Sequence, residues 1–433
     1  MTEPRCRPPW RRWAPVGLAL VLVCGAAGCS SDGATDSPAA PVTTATVAVS
    51  PDASSQDEPE SSGPAAEPGV TDTVVRFGQS AAFSGPAAAL GNGMRLGIEA
   101  AFAQVNAEGG VGGRMLELVS LDDRYEPSGA IANTQMLIAE EQVFALIGAV
   151  GTPTSRSAVP LAVEAGIPYL APFTGAGFLR DTAQSTVVVN LRASYNQETE
   201  EMVARLTEDL GFDRIAVMYQ DDSFGRAGYF GARAALERRG LEPVSLGLYP
   251  RNTTAVKSGL LDVRLGDPEA VIMVGSYAPI AEAIKWARQI GMDATFITIS
   301  FVGSNALAEN LGADGEGVFV TQVVPFPTDD TVGVVADYLD ALEAFDADAE
   351  PGFVSLEGYL AGRMAIAALE RCERYMTRVC LLGAFREGGL YDLDGISLSF
   401  TYGDNQGSDE VFITRINEER QHRPVTSLTD ASP

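Results

Sequence analysis

Few residues in this chain carry the side chains that enzymes use for nucleophilic or metal chemistry. The only histidine, His422, lies in a polar tail that we expect to be disordered. A Ser-His-Asp or Cys-His site needs an imidazole held against the nucleophile, and a zinc site needs several nitrogen or sulfur ligands. The glycine-containing loops at 109–113 and 148–151 lack the full dinucleotide-binding spacing. The sequence therefore predicts neither a metal site nor a cofactor.

Carboxylate chemistry is the one enzymatic option that the composition leaves. Asp122 and Asp123 follow one predicted strand, and Asp221 and Asp222 follow another. Either pair could be a cation site or the acid pair of a glycosidase, but acids commonly end strands and begin turns. We favour the turn interpretation and predict that the protein is not an enzyme. A secreted carboxylate-dependent hydrolase is the alternative.

The N-terminal region has the pattern of an export signal. Four arginines precede an apolar run at 13–23, which is too short for a membrane-spanning helix. The sequence AAGC that ends at Cys29 resembles the bacterial lipobox, whose cysteine is lipidated after cleavage. We expect a lipoprotein signal peptide at 1–28 and an extracytoplasmic protein anchored to the cell membrane through Cys29. An ordinary signal peptide with an incidental cysteine is the alternative.

Composition and charge place further limits on structure and partners. Residues 29–70 are rich in Ser, Pro, Ala and acids, which predicts a disordered linker, and residues 419–433 are expected to form a disordered tail. The formal net charge of −27 repels polyanions, so nucleic acid is excluded as a partner. Two of the five cysteines leave with the signal peptide and Cys29 carries lipid. Cys372 and Cys380 remain as a possible disulfide of an exported protein.

From residue 73 onward, short apolar runs alternate with longer periodic segments, which is typical of strand-helix units in a parallel sheet. The alternation restarts after residue 191 and ends in a tract of helices and two strands. The sequence therefore predicts an α/β protein with two Rossmann-like parallel-sheet lobes that face a cleft. The first lobe is assigned to 71–190 and 323–390, the second to 191–322, and residues 391–418 to the hinge and to strands of the second lobe.

Loops that follow the predicted strands supply candidate ligand contacts. The loop at 148–154 leads into a helix, where free N–H groups and the hydroxyls of Thr152 and Thr154 could seat an anion or simply cap the helix. The loop at 171–177 adds a hydroxyl, backbone donors and an aromatic ring. Loops at 221–225 and 275–279 offer aromatic walls from the other lobe. Because ligands bind beyond the carboxyl ends of parallel strands, these loops are expected to line the cleft.

Several motifs together resemble the branched-chain amino acid binding proteins, which are type I periplasmic binding proteins that serve ABC importers. The motifs are FSGP at 83–86, NAEGGVGGR at 106–114, LDD at 121–123, IG at 147–148, FG at 224–225 and NQG at 405–407. The resemblance implies a three-crossing hinge, with crossings near 187–192, 320–325 and 390–398. It also implies a monomer that binds a small carboxylate-type ligand between the lobes and delivers it to an ABC permease. A ligand-sensing module of the same fold is the alternative.

The resemblance assigns ligand contacts by position. Thr152 matches a hydroxyl that holds the ligand carboxylate, and Tyr195 lies near the first crossing. The other contacts are Leu90, Phe173, Thr174, Gly175, Phe224 and Tyr277.

One departure from the family pattern affects the expected ligand. Ser300 stands where amino-acid binders carry a glutamate for the ligand ammonium, and a serine cannot neutralise a buried cation. Amino acids, organic or aromatic acids and small amides are therefore equal candidates. The family's first-lobe disulfide is also missing, since Tyr125 and Gly151 occupy those positions.

Overall fold

A computed structural model describes residues 67–430, which belong to one compact unit, Gly63–Pro433. The predicted signal peptide, Cys29 and nearly all of the predicted linker lie outside the described residues. No helix in the described part of the chain is long and apolar enough to cross a membrane.

The first sheet is wholly parallel and has the strand order β2-β1-β3-β4-β5. Four of its strands are mostly or fully buried, as expected when helices cover both faces, and the edge strand β2 is partly exposed. Its strands are β1 (Val74–Ala81), β2 (Met115–Asp122), β3 (Ala145–Ile147), β4 (Tyr169–Leu170) and β5 (Val188–Val189). The helices between them are α1 (Ala88–Ala107), α2 (Pro127–Ala139) and α3 (Thr152–Glu164).

The second sheet has seven strands in the order β14-β13-β10-β9-β8-β6-β7, in which β13 pairs antiparallel with both of its neighbours and the other pairs are parallel. The strands are β6 (Ile215–Gln220), β7 (Leu246–Tyr249), β8 (Ala270–Val274), β9 (Thr295–Thr298), β10 (Phe319–Gln322), β13 (Phe412–Ile416) and β14 (His422–Val425). The helices are α4 (Tyr195–Glu208), α5 (Ser223–Arg238), α6 (Lys257–Arg264), α7 (Tyr277–Gln289) and α8 (Ser304–Leu311).

After β10 the chain returns to the first lobe, as the sequence predicts. The returning elements are α9 (Gly333–Phe345), α10 (Phe353–Glu370), α11 (Arg378–Arg386) and a hairpin of β11 (Gly389–Asp392) and β12 (Ser397–Phe400). Helix α10 lies along α1, because Gly97 and Gly358 leave no side chain between the two backbones. The α/β fold with two parallel-sheet lobes is therefore confirmed.

The chain passes between the lobes three times, and the third passage comes later than expected. The first two passages follow β5 and β10. Residues 390–398, where we expected the third, instead form most of the hairpin, and the chain passes to β13 at 401–411. The first and third passages pair with each other through an Asn190–Gln406 bridge. The second strand of the hairpin was predicted at 396–401 but was assigned to the hinge and the second lobe. Its partner β11 was missed, because it alternates between buried and exposed over only four residues.

The expected disordered tail is wrong for residues 419–430. This segment contains β14, which pairs with β13, and His422 is buried there. The imidazole Nε2–H donates to the Ser304 carbonyl at 2.9 Å, and Nδ1 lies 3.1 Å from the Thr414 hydroxyl. The polar sequence did not indicate a strand, because this edge strand is held mainly through its backbone.

Cys372 and Cys380 form a disulfide that closes the turn between α10 and α11. Thr377, within this turn, caps α11 by accepting a hydrogen bond from the Cys380 backbone N–H at 3.1 Å. The short loop therefore has both a covalent and a hydrogen-bonded constraint.

Burial of His422 makes stability depend on pH. Loss of solvation lowers the pKa of this imidazole from 6.5 to about 4, so the unfolded chain binds the proton more readily than the folded one. Stability should fall as the pH drops from 6.5 towards 4, by roughly 1.4 kcal/mol per pH unit. Denaturation of the wild type and of His422→Gln across this range isolates the contribution. A single imidazole NMR signal that titrates near the ordinary pKa would contradict the burial.

Candidate functional site

The carboxyl ends of strands from both sheets lead into loops that meet at the junction of the lobes. In the first lobe, these loops follow β3 and β4. In the second lobe, they follow β6, β8 and β9. Such convergence is the usual position of ligand sites in open parallel sheets.

The first-lobe loops bring together two buried threonines. The Thr152 and Thr174 hydroxyl oxygens lie 2.7 Å apart, and both residues are fully buried. The loops pair through their backbones, since Phe173 N–H donates to the Ala149 carbonyl at 2.8 Å. Thr152 also begins α3, so its hydroxyl lies at the positive end of the helix dipole.

Thr154 has a different environment from Thr152, although we predicted both as ligand contacts. Its hydroxyl donates within the helix start, to the Val150 carbonyl at 2.5 Å and the Gly151 carbonyl at 3.0 Å. Its side chain lines a small void of about 10 Å³ inside the first lobe, together with Asp123 and Tyr169. Thr154 therefore stabilises the loop and has no hydroxyl proton left for a ligand.

An aromatic cluster fills the space between the lobes, and sequence analysis found only part of it. The Phe301 ring lies 5.3 Å from Phe173 of the first lobe and 4.5 Å from Phe224 of the second. Tyr125 lies 6.0 Å from Phe301, and Tyr195 lies 5.6 Å from Phe224. All five rings are almost completely buried. Phe301 and Tyr125 were missed, although each follows a segment that was singled out, Ser300 and the acids at 122–123.

Gly175, another predicted contact, allows the close approach of Tyr195. The Tyr195 N–H donates to the Gly175 carbonyl at 2.8 Å. A Cβ atom at position 175 would lie 2.6 Å from both the Tyr195 ring and its backbone nitrogen, which is closer than van der Waals contact permits. The glycine thus joins the second threonine loop to the start of α4.

Leu90 and Tyr277, two predicted ligand contacts, lie on facing sides of the junction. Leu90 is fully buried in the first turn of α1, against Gly303 of the second lobe. The Ala89 backbone N–H donates to the Tyr277 hydroxyl at 3.3 Å. A further contact between the lobes joins Arg251 to Glu126 at 2.6 Å. The lobes are therefore in direct contact around the aromatic cluster.

A buried arginine lies at the first passage between the lobes, and sequence analysis did not identify it. The Arg192 guanidinium is fully buried and lies 3.1 Å from Glu198 of the second lobe and 3.5 Å from Glu357 of the first. It also donates to the Ser300 hydroxyl and lies 5.0 Å from the centre of the Phe173 ring. One cation is thus shared by carboxylates from both lobes.

Glu198 brings a carboxylate to the place where the family pattern expects a glutamate and this chain has Ser300. The Glu198 side chain accepts from Ser300 N–H at 2.8 Å, from the Ser300 hydroxyl at 3.0 Å and from the Thr321 hydroxyl at 2.5 Å. With Arg192 as a further donor, its two oxygens are fully hydrogen-bonded. This carboxylate is already neutralised within the protein.

Burial and neighbouring charges shift the pKa values of the ionisable groups in this network. Burial raises the pKa of Glu357 to about 7, and the nearby Arg192 opposes that rise. Burial lowers the pKa of Arg180 to about 9, and the like charge of Arg192 adds to this effect. Arg180 also donates to the Arg192 carbonyl at 2.8 Å and to Gln406 at 2.6 Å, which joins the first and third passages.

The acids that were considered for catalysis serve turns and helix caps. Asp122 accepts from the Phe83 and Arg124 backbone N–H groups, both at 2.9 Å. Asp222 accepts from the first N–H groups of α5 and from the Gln220 amide at 2.7 Å. The turn interpretation is therefore correct for these two residues.

The comparison with known proteins decides the family. Residues 74–421 match the family model described as periplasmic binding protein. The chain belongs to the periplasmic binding protein family. The predicted resemblance to branched-chain amino acid binding proteins of type I is confirmed.

Several family members are similar to this chain over most of its length. The chain is 25% identical over 317 residues to Leu/Ile/Val-binding protein homolog 7 of Brucella abortus (strain 2308), covering 70% of this chain and 78% of the relative. A crystal structure of a possible leucine/isoleucine/valine-binding protein from Rhodopirellula baltica SH 1 has a TM-score of 0.78 and 37% identity, covering 82% of this chain and 96% of that one. A substrate-binding periplasmic protein from Ralstonia solanacearum has a TM-score of 0.75 and 25% identity, covering 81% and 100%.

Membership of this family establishes the general role of the chain. Its relatives are binding proteins, so this periplasmic binding protein is a solute-binding protein and not an enzyme. The hydrolase alternative is therefore set aside. The family also implies an extracytoplasmic location.

The buried network predicts unequal effects of two glutamates on α4. Glu198→Gln should lower the free energy of unfolding by about 3 kcal/mol, because Arg192 loses a buried counter-charge. Glu201→Gln is the matched control, since Glu201 pairs with Arg205 at the surface, and its loss should be below about 0.5 kcal/mol. Urea unfolding of both variants gives the comparison. Equal small losses would show that Glu198 is not part of a buried charge network.

Proposed function

We propose that this periplasmic binding protein is a monomeric, lipid-anchored solute receptor of an ABC importer that captures a small carboxylate-type ligand between its lobes. The observation that carries this proposal is the meeting of the Thr152 and Thr174 hydroxyls at the start of α3, beside aromatic rings from both lobes. Polar groups at one point of an otherwise apolar junction can fix the orientation of a small molecule.

The threonine pair supports a carboxylate in particular. The two hydroxyls are 2.7 Å apart, so one donates to the other and the second proton can still be donated to a ligand. The helix dipole of α3 adds favourable electrostatics for a negative charge. A carboxylate placed here would gain charge-assisted hydrogen bonds in a site without bulk water.

The carboxylates near the junction limit which charges the rest of the ligand can carry. Glu198 is neutralised by Arg192, and Asp222 caps α5, so neither carboxylate is free for a ligand ammonium. This supports organic or aromatic acids. The names of the Brucella and Rhodopirellula relatives, which refer to leucine, isoleucine and valine, support an amino acid instead. Both classes therefore belong in a binding screen.

Contacts between the lobes provide a way for the permease to recognise the ligand-bound protein. The Tyr277–Ala89 hydrogen bond and the Arg251–Glu126 ion pair join opposite lobes and exist only when these lobes are close. A ligand that bridges the lobes stabilises this closed state, which a permease can distinguish from the open one.

Thr152→Ala tests whether the Thr152 and Thr174 hydroxyls bind the ligand carboxylate, a position that we call the carboxylate seat. We expect at least a tenfold loss of affinity, because a charge-assisted hydrogen bond contributes on the order of 1.5–3 kcal/mol. Calorimetry with the hits of a screen that includes leucine, valine, pentanoate and benzoate gives the measurement. Thr152→Ser retains the hydroxyl and is the control. Unchanged affinity in the alanine variant would refute the seat.

Cys29→Ala tests the anchor. If Cys29 carries lipid, the wild-type protein should be recovered with the membrane fraction of its host and the variant should be soluble, because removing the acyl chains removes their insertion energy. Mass spectrometry of the mature N-terminus is the direct control. Equal partition of both proteins would contradict the lipid anchor.

A further inference from the structure

Besides the hydroxyl of Tyr195 within the aromatic cluster, two buried tyrosine hydroxyls close to the cluster are not paired by the fold. The hydroxyls of Tyr125 and Tyr249 are shielded from solvent and have no hydrogen-bond partner among residues 67–430. Leaving a buried hydroxyl unpaired costs on the order of 1–3 kcal/mol. Two such groups in one region therefore indicate that a bound molecule pairs with them.

The two tyrosines come from different lobes and point to one region. Tyr249 ends β7, and its hydroxyl lies against Gly275 at the end of β8. Strands β6 and β8 are neighbours, and the chain continues from β6 to β7 on one side and from β8 to β9 on the other. A ligand crevice is expected beyond the carboxyl ends of such a strand pair. Tyr125 belongs to the first lobe, and its hydroxyl lies beside Gln220 at the end of β6 but outside normal hydrogen-bond geometry.

Tyr125 also connects this region to the carboxylate seat. Its ring occupies the space that a Cβ atom would need at Gly151, one residue before Thr152. Gly151 has a φ of 105°, a backbone conformation that favours glycine. Both the Tyr125 ring and the loop conformation therefore require a glycine at position 151. The edge of the Tyr125 ring that is next to its hydroxyl thus lies against the loop that begins α3.

The crevice presents neutral hydrogen-bonding groups. Asp222 lies near both tyrosines, but its carboxylate already accepts from Phe224 N–H at 2.9 Å, Gly225 N–H at 3.2 Å and the Gln220 amide. Arg251, 3.8 Å away, balances its charge. Burial and the charge of Asp222 raise the pKa of both tyrosines, so their hydroxyls stay protonated. Each can donate or accept one hydrogen bond.

From this geometry, we propose that Tyr125 and Tyr249 form a second polar subsite that binds a neutral hydroxyl or amide group of the ligand. The ligand is then a small acid that carries such a group several atoms from its carboxylate. This inference rests on the proposed function, because it takes the carboxylate to lie at Thr152. It narrows the ligand class from any small acid to acids with a neutral polar group at the far end.

Matched acids test the subsite by calorimetry on the full mature protein. Two pairs, pentanoate with 5-hydroxypentanoate and benzoate with 4-hydroxybenzoate, differ only in the far hydroxyl. We expect the wild type to bind at least one hydroxy acid about tenfold tighter than its parent. Tyr125→Phe and Tyr249→Phe should each abolish this preference, so that each variant binds the hydroxy acid and its parent acid with affinities within about twofold of each other.

The melting temperature of the ligand-free variants separates a ligand-binding role from a structural one. Tyr125→Phe and Tyr249→Phe should melt at or above the wild-type temperature, because each removes an unpaired buried hydroxyl. Tyr169→Phe is the matched control, since its hydroxyl donates to Ser155 at 3.0 Å inside the first lobe. This control should lower the melting temperature and retain the hydroxy-acid preference.

The possible failures are distinguishable. If both members of each pair bind equally well to the wild type, or if the preference survives in both phenylalanine variants, the subsite is wrong and the proposed function stands. If the two variants melt lower, as Tyr169→Phe should, the hydroxyls are structural and the subsite is again wrong. If no acid or amino acid binds, the carboxylate seat itself is refuted.

Discussion

A buried arginine at the junction of the lobes constrains the whole molecule. Arg192 is fully shielded from water, so its charge must be compensated within the protein. The compensating carboxylates are Glu198 on α4 of the second lobe and Glu357 on α10 of the first. Because α10 belongs to the returning part of the first lobe, this one cation holds together segments that are far apart in sequence. Arg180 extends the network to the third passage through Gln406.

The same constraint shapes the solute site. Glu198 takes the place of the glutamate that the family pattern expects at Ser300, but its charge is used to neutralise Arg192. What faces the cleft is therefore a set of hydroxyls and aromatic rings, with Phe301 between the lobes. Recognition in such a site depends on hydrogen-bond geometry and shape more than on opposite charge. Under the proposed function, this favours solutes whose only charge is a carboxylate near Thr152.

Much of the architecture could be predicted from the sequence, because strand-helix alternation follows from hydrophobic periodicity. Thr152 and Thr174 could be placed for a related reason, since loops after neighbouring parallel strands meet at one edge of a sheet. The burial of Arg192 could not be predicted, because no local sequence pattern shows that a charged residue is buried when its partners come from distant helices. The strand at His422 was missed because its pairing is made by the backbone. Phe301 was missed as a contact between the lobes because an apolar residue after a strand usually belongs to the core of one lobe.

The most direct test of this account is a crystal structure of the protein with a captured solute. The account predicts electron density at the junction of the lobes, with a solute carboxylate oxygen within hydrogen-bonding distance of the Thr152 or Thr174 hydroxyl. It also predicts that Glu198 stays paired with Arg192 in that complex. Solute bound away from the junction, or a solute ammonium group held by Glu198 after Arg192 has moved aside, would contradict it.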